Sequence, residues 1–178
     1  DLDSLPQVKD LGELCQELKG RRVELERYSV DEIVALIAAA SRRWFEDDSP
    51  VLPLSQAGLV FLRSFCSSNS LRQLADDSLK MGRGELDGFR GKGFSGRRMQ
   101  RAVSRGLVGH WVAGNVPLLG MLVLTQSILA RNANIIKVAR NNASVLPLLL
   151  ESFRGLVIKT SAGKILRGDD ILKTIAVI

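Results

Sequence analysis

The chain has 178 residues, of which 46% are hydrophobic and 25% charged, and its formal net charge is +6. This length allows one ordinary domain or a domain with a helical appendage, and the apolar content argues against intrinsic disorder. The two cysteines show no metal-ligand spacing, which favours a reduced, cytoplasmic protein over a disulfide-stabilised one.

Residues 1–80 are predicted to form an N-terminal helical region. Ser29 and Glu32 make up a capping box, and apolar residues recur at helical spacing directly after it. Ser70 and Gln73 form a second capping box, which predicts a further helix. These patterns are more typical of packing than of function.

Residues 81–105 are predicted to be a glycine-rich basic connection. The window from Lys80 to Arg105 carries eight basic residues against two acidic ones, so it accounts for the whole net charge. Six glycines in the same window indicate a flexible segment rather than a helix face. Because basic segments attract phosphates, a non-catalytic nucleic-acid or phosphate-binding protein is the alternative function. Nucleic acid is the less favoured ligand, since only Phe89 and Phe94 interleave with the basic residues.

Residues 106–178 predict a partial cofactor-binding α/β domain. The order strand–helix–strand–helix–strand with short connections indicates a parallel sheet covered by helices. The predicted elements are strands at 107–112, 134–139 and 173–178, a helix at 118–129, another helix after 144, and a polar loop at 160–170.

Residues 106–130 carry no formal charge and are long enough to cross a bilayer. His110, Gly114, Asn115 and Pro117 interrupt this run at points where lipid would leave backbone groups unpaired. A strand, a tight turn and a buried helix therefore explain the run better than a membrane span.

The candidate binding residues follow the predicted strands, because ligands of parallel sheets bind at the carboxyl ends of the strands. Gly114 and Asn115 lie in a strand-to-helix turn, which offers backbone N–H groups and a side-chain amide, the parts of an oxyanion site. Asparagine is also common in such turns as a turn former or cap. Lys137 and Arg140 could hold a phosphate at the end of the second strand, and an ordinary solvent-exposed strand end is the equal alternative.

The remaining reactive side chains do not assemble a complete catalytic set. His110, the only histidine, lies inside the first predicted strand, where a hydrogen-bonded core role is more typical than a base. Cys15 and Cys66 have no basic partner nearby in the chain. The sequence also contains neither a Gly-x-Gly-x-x-Gly turn after a predicted strand nor a Walker loop.

Two stretches resemble the aldehyde dehydrogenase superfamily. Residues 109–118, Gly-His-Trp-Val-Ala-Gly-Asn-Val-Pro-Leu, are similar to the strand–turn–helix in which that family carries its oxyanion asparagine. Residues 129–138 are similar to the next segment, which leads to a strand that ends in lysine, and Pro147 matches the start of the following helix. The sequences AGNVP and NANIIKV are most similar to those of long-chain fatty acyl-CoA reductases of the bioluminescence type. The implied fold is α/β, an N-terminal helical region followed by part of a Rossmann-like parallel sheet.

This resemblance implies reduction of a fatty acyl thioester to the aldehyde with NADPH, through a cysteine thioester. Asn115 matches the catalytic asparagine that donates to the oxyanion, and Gly114, a cofactor-binding position, replaces the tryptophan of the generic motif. Lys137 matches the lysine that contacts the adenosine ribose. Arg140 stands where many NAD-using members have glutamate, so NADP is expected to be favoured.

The resemblance also implies an N-terminal fragment. The family's catalytic cysteine lies beyond the position of Ile178, and both Cys15 and Cys66 precede the oxyanion motif. A third strand at the end of the chain would leave a hydrophobic sheet edge, which natural proteins normally cover. We therefore expect the 178 residues alone to be inactive. The expected partners are a fatty acyl-CoA or acyl-enzyme substrate and, at full length, further copies of the chain or an acyl-transfer enzyme.

Overall fold

The computed structural model describes residues 10–53, 58–91, 99–114, 116, 118–140 and 143–178. Its described elements are helices packed with one parallel sheet and two short antiparallel strand pairs. The helices are α1 (Leu11–Arg21), α2 (Val23–Glu26), α3 (Val30–Arg43), α4 (Leu59–Phe65), α5 (Ser68–Ser78), α6 (Gly84–Asp87), α7 (Leu119–Leu129), α8 (Val145–Glu151) and α9 (Gly168–Leu172). The strands are β1 (Arg90–Gly91), β2 (Met99–Gln100), β3 (Leu107–Trp111), β4 (Ala133–Lys137), β5 (Val157–Lys159), β6 (Ile165–Arg167) and β7 (Ile175–Val177).

The capping box predicted at the start of α3 is confirmed. The Ser29 hydroxyl accepts a hydrogen bond from the backbone N–H of Glu32 at 3.2 Å. The Glu32 carboxylate accepts one from the backbone N–H of Ser29 at 2.8 Å. Two N–H groups that would otherwise lack partners are satisfied in this way, which fixes the first turn of a helix that is buried over most of its length.

The second predicted capping box is wrong by three residues. Helix α5 begins at Ser68, and its N-cap is Ser67, whose hydroxyl accepts from the backbone N–H of Ser70 at 3.3 Å. Serines stand at four nearby positions, and each has the side chain that a cap requires. The sequence alone could not decide which of them the helix uses.

The predicted parallel sheet is present, with the strand order β3–β4–β7. Strand β4 lies in the centre and pairs in parallel with both neighbours, Trp111 opposite Lys137 on one side and Ile136 opposite Val177 on the other. The protein is therefore of mixed α/β class with a three-stranded parallel sheet, as the order of predicted elements indicated.

The two faces of this sheet are covered by different helices. Successive side chains of a strand point to opposite faces, so Ile135 and Ile136 separate the two sides. Ile135 lies in a small cluster with Leu18 of α1. Ile136 lies in the main core with Met121 of α7 and Leu146 of α8.

The first helices and the sheet share one hydrophobic core. A single cluster of buried residues contains side chains of α3, α4 and α5 together with those of α7, α8 and β4. Trp44, which follows α3, joins the two parts directly, because its indole N–H donates to the Leu149 carbonyl at 3.2 Å and to the Ser152 hydroxyl at 3.0 Å. The division at residues 80 and 105 stays a prediction about domains.

The segment predicted as a polar loop at 160–170 is instead ordered structure. Strands β5 and β6 form an antiparallel hairpin around Thr160 and Gly163, and α9 follows at once. Gly163 has φ +81°, and its N–H donates to the Thr160 carbonyl at 2.9 Å. The polar residues that suggested a loop belong to the tight turn, while Ile158 and Leu166 pair across the hairpin.

The uncharged run at 106–130 contains strand β3 and helix α7, as predicted, with a turn between them. Helix α7 has 11 residues. No helix within the described parts of the chain is long and apolar enough to cross a membrane.

The basic connection is more structured than its glycine content suggests. It contains the short helix α6 and the antiparallel pair β1–β2, and the Ala102 N–H donates to the Glu85 carbonyl at 3.0 Å. Three of its basic residues, Lys92, Arg97 and Arg98, lie outside the described residues.

Candidate functional site

The carboxyl ends of β3 and β4 emerge at the same edge of the sheet. Trp111 and Lys137 are opposite each other in the parallel register, and the Val112 N–H donates to the Lys137 carbonyl at 3.2 Å. The segments that follow the two strands, 112–114 and 138–140, therefore start side by side. We refer to Trp111, Lys137 and the segments 112–114 and 138–140 as the carboxyl edge.

Gly114 lies in a turn three residues after β3 and is half-buried. Asn115, the sequence-predicted oxyanion donor, and Pro117 lie outside the described residues. The buried Leu118 precedes α7 and packs in the main core. Asn115 therefore stays a prediction from the sequence.

Lys137 is exposed at the end of β4, where the sequence placed it, and it has a partner that the sequence analysis missed. Its ammonium nitrogen lies 4.3 Å from the centroid of the Trp111 ring. A cation over an indole face is attracted by the quadrupole of the ring. The contact gives Lys137 a defined position instead of a freely moving end.

Trp111 is 83% exposed, the highest value among the large hydrophobic side chains of the described residues. A tryptophan with this exposure offers solvent a large apolar ring whose indole N–H can still bind a polar partner. Its neighbour on the same face, Gly109, is also open, because a Cβ placed there would meet no atom within 4 Å. The signal in the sequence was a tryptophan in a strand, four residues before the candidate asparagine.

Arg140 is exposed in a short turn three residues after Lys137. Among the described residues neither Lys137 nor Arg140 pairs with a carboxylate. The carboxyl edge therefore offers two positive charges and an aromatic surface to solvent. Cations of this kind suit a phosphate or another anionic group.

His110 has the structural role that the sequence favoured. Its Nε2 lies 3.0 Å from the Oδ1 of Asn134, and the Asn134 amide in turn donates to the Asn132 carbonyl at 2.9 Å. Asn134 is fully buried, while His110 is half-buried. The hydrogen bond between His110 and Asn134 gives both side chains a partner between β3 and β4. This geometry favours a structural role for His110 over that of a general base.

Neither cysteine belongs to the carboxyl edge. Cys66 is buried at the end of α4, and its Sγ lies 3.8 Å from the Thr125 hydroxyl. Burial raises the pKa of the Cys66 thiol to about 11, so the nucleophilic thiolate is scarce near neutral pH. Cys15 is half-buried on α1 and packs against the small cluster around Ala133, at the amino half of the sheet.

A comparison with known proteins finds one match. The family model described as acyl-CoA reductase (LuxC) matches residues 25–178, which contain the complete parallel sheet and the carboxyl edge. No curated protein matches the chain.

Proposed function

We propose, from the premise that this chain belongs to the LuxC family of acyl-CoA reductases, that the carboxyl edge binds NADPH and the acyl group to be reduced. The observation that carries this proposal is the contact between Lys137 and Trp111 at the carboxyl ends of β4 and β3. Two cations and an exposed indole lie beside the turn between Gly114 and Leu118, at the edge where parallel sheets bind ligands. The proposal extends to an aldehyde dehydrogenase-like Rossmann arrangement of the sheet.

Lys137 and Arg140 would hold the adenosine half of NADPH. A lysine ammonium suits the ribose hydroxyls, and the guanidinium of Arg140 suits the 2′-phosphate because it can donate two parallel hydrogen bonds. The absence of a carboxylate partner for either cation within the described residues leaves both charges free to attract a dianion. When bound, NADPH supplies the hydride that reduces the thioester to the aldehyde.

Asn115 and a backbone N–H of its turn would stabilise the oxygen that becomes negatively charged when the acyl carbonyl is reduced. This assignment rests on the sequence motif and on the position of the turn between β3 and α7. Donors that already point to the developing charge lower the barrier without reorganisation. Gly114 stands where the generic motif has tryptophan.

The acyl-accepting thiol is supplied by neither of the two cysteines in these 178 residues. Cys66 is buried, and burial raises the pKa of its thiol. Cys15 packs near Ala133, at the amino half of the sheet and away from the carboxyl edge. We propose that a further cysteine of the enzyme takes the acyl group as a thioester. Since both described cysteines are free thiols, a reducing, cytoplasmic location is part of the same proposal.

The cofactor assignment is tested by Arg140→Glu in an active enzyme that contains this chain. The ratio of kcat/KM with NADPH to kcat/KM with NADH is expected to fall by about tenfold or more, because a charge-assisted hydrogen bond to the 2′-phosphate is replaced by repulsion. Arg42→Glu is the matched control, since Arg42 is exposed on α3 and should leave the ratio unchanged. An unchanged ratio in Arg140→Glu would refute the assignment.

A further inference from the structure

A second basic feature lies at the opposite end of the sheet. A cavity of about 740 Å³ opens beside the amino ends of β3 and β4, where Gly106 and Arg131 precede the two strands. Its other walls come from α2 and the residues after it, the end of α6, and the segment 101–106. Such a volume is in the range of small-molecule sites. We refer to it as the amino-end cavity.

The lining of this cavity is strongly basic. Five arginines face two carboxylates, and three of the five are already paired. Arg22 pairs with Glu26 at 2.5 Å, and the buried Arg131 pairs with Asp87. The five arginines are Arg22, Arg27, Arg101, Arg105 and Arg131.

Two arginines of the cavity keep their charge unpaired. Within the described residues, the guanidinium groups of Arg101 and Arg105 have neither a hydrogen bond nor an ion pair. Both residues are exposed and line the same concave space. Charges of one sign around a concave surface reinforce each other's field, which attracts an anion more strongly than the same charges on a flat surface.

The backbone that carries these two arginines is fixed from several sides. The Asn132 side-chain oxygen accepts from the N–H groups of Arg105 and Gly106 at 2.7 and 3.1 Å. The Ala102 N–H donates to the Glu85 carbonyl at 3.0 Å, and the Ser104 hydroxyl accepts from Arg22 at 2.6 Å. The segment 101–106 is therefore held in place before any ligand binds, which lowers the entropy cost of binding.

The floor of the cavity is rigid for a similar reason. The Arg131 guanidinium is buried and donates to the carbonyls of Tyr28 and Leu86 and to Asp87. Its own charge is thus compensated within the protein. A ligand would contact Arg101 and Arg105 above a floor that does not need to rearrange.

We propose that the amino-end cavity binds the phosphate groups of a small molecule through Arg101 and Arg105. Guanidinium groups favour phosphate because their paired N–H groups match its oxygens. The concave shape suits a compact anion better than an extended nucleic-acid backbone. Among the described lining residues the one aromatic side chain is Tyr28, which is buried and offers no surface on which a base could stack. This site is separate from the carboxyl edge and does not depend on the function proposed there.

The test uses calorimetric titration with inorganic pyrophosphate of the 178-residue chain that carries Lys137→Met/Arg140→Gln, which removes the two cations of the carboxyl edge. We expect one binding site in this parent chain, and we expect the added pair Arg101→Gln/Arg105→Gln to weaken its affinity by about tenfold or more. The matched control Arg42→Gln/Lys80→Gln removes two exposed charges outside the cavity and should keep the affinity. Thermal unfolding of each variant shows whether the fold is retained, which is expected because neither side chain of the test pair has a partner among the described residues.

Three results would overturn the proposal. The first is no binding of pyrophosphate by the parent chain, and the second is an equal loss of affinity in the test and control pairs. The third is tighter binding of a single-stranded oligonucleotide that displaces pyrophosphate, which would indicate a nucleic-acid site. A second titration of the chain with Lys137 and Arg140 unchanged measures any pyrophosphate bound at the carboxyl edge, so that failure at the carboxyl edge and failure at the cavity can be distinguished.

Discussion

Lys137 and Trp111 form a unit at the carboxyl edge because the parallel register places them directly opposite each other. With the ammonium 4.3 Å from the ring centroid, the tryptophan holds the cation while both side chains remain open to solvent. A ligand that contacts Lys137 therefore meets an aromatic surface at the same place. Trp111 thus acts as a positioning residue in the proposed cofactor site.

Cys66 provides a test at the scale of a single thiol. Burial raises its pKa to about 11, so the protonated form dominates below that pH, and the thiolate fraction rises only as the pH approaches it. We expect a Cys15→Ser chain, whose remaining thiol is Cys66, to react with a disulfide reagent far more slowly at pH 8 than a Cys66→Ser chain does. The measurement is the rate of thiol modification between pH 7 and pH 9, fitted for each variant.

Urea-unfolded protein serves as the control, because both thiols should then react at similar rates. Faster modification of Cys66 than of Cys15 in the native protein would contradict the structure at this position. It would also reopen Cys66 as a nucleophile of the enzyme.

The sequence predicted the individual candidate residues better than their partners. Lys137 ends β4, and Gly114 and Arg140 follow β3 and β4, as the strand pattern predicted, while their roles stay predictions. The Trp111 contact and the His110–Asn134 hydrogen bond depend on the register of β3 against β4. Hydrophobic periodicity gives the position of a strand along the chain but does not give that register.

At the scale of elements, Gly168 lets the start of α9 pack against residues 153–156, which follow α8. A Cβ at this position would lie 2.1 Å from the Phe153 carbonyl oxygen and 3.0 Å from the Leu156 Cβ. Since the clash involves backbone, rotation of a side chain cannot relieve it. We expect Gly168→Ala to lower the free energy of unfolding by about 1–3 kcal/mol, measured by urea denaturation.

Gly109→Ala is the matched control, since a Cβ there would meet no atom within 4 Å and lies on an exposed strand. Its free energy of unfolding should stay the same or rise slightly, because alanine is less flexible than glycine in the unfolded chain. Equal stability of the two variants would mean that the start of α9 does not pack against residues 153–156 as described.

The hairpin of β5 and β6 shows where element prediction failed. Each strand has only three residues, which is too short for a periodic pattern to stand out. The polar residues from Thr160 onward predict a loop, and Thr160 and Gly163 do form the turn between β5 and β6. The order β3–α7–β4–α8 was predictable, in contrast, because long apolar runs alternate with clear turn residues.

At the scale of the whole molecule, the sheet has two chemically different ends. The carboxyl edge follows from the order of the strands, so the sequence could locate it. The amino-end cavity combines segments around residues 22–29, 101–106 and 130–131, which only the folded chain brings together. The buried Arg131 joins Tyr28 to the end of α6, while Asn132 holds the backbone of Arg105 and Gly106. No pattern in the sequence singles out Arg131.

We propose that the carboxyl edge stabilises the reacting oxygen of an acyl thioester in this LuxC-family reductase. The most direct test is the rate of acyl-CoA-dependent NADPH oxidation by Asn115→Ala in an active enzyme that contains this chain. We predict that kcat falls by about 10²- to 10³-fold, as for loss of an oxyanion donor, while the KM for NADPH changes little. A kcat equal to that of the parent enzyme would contradict the account.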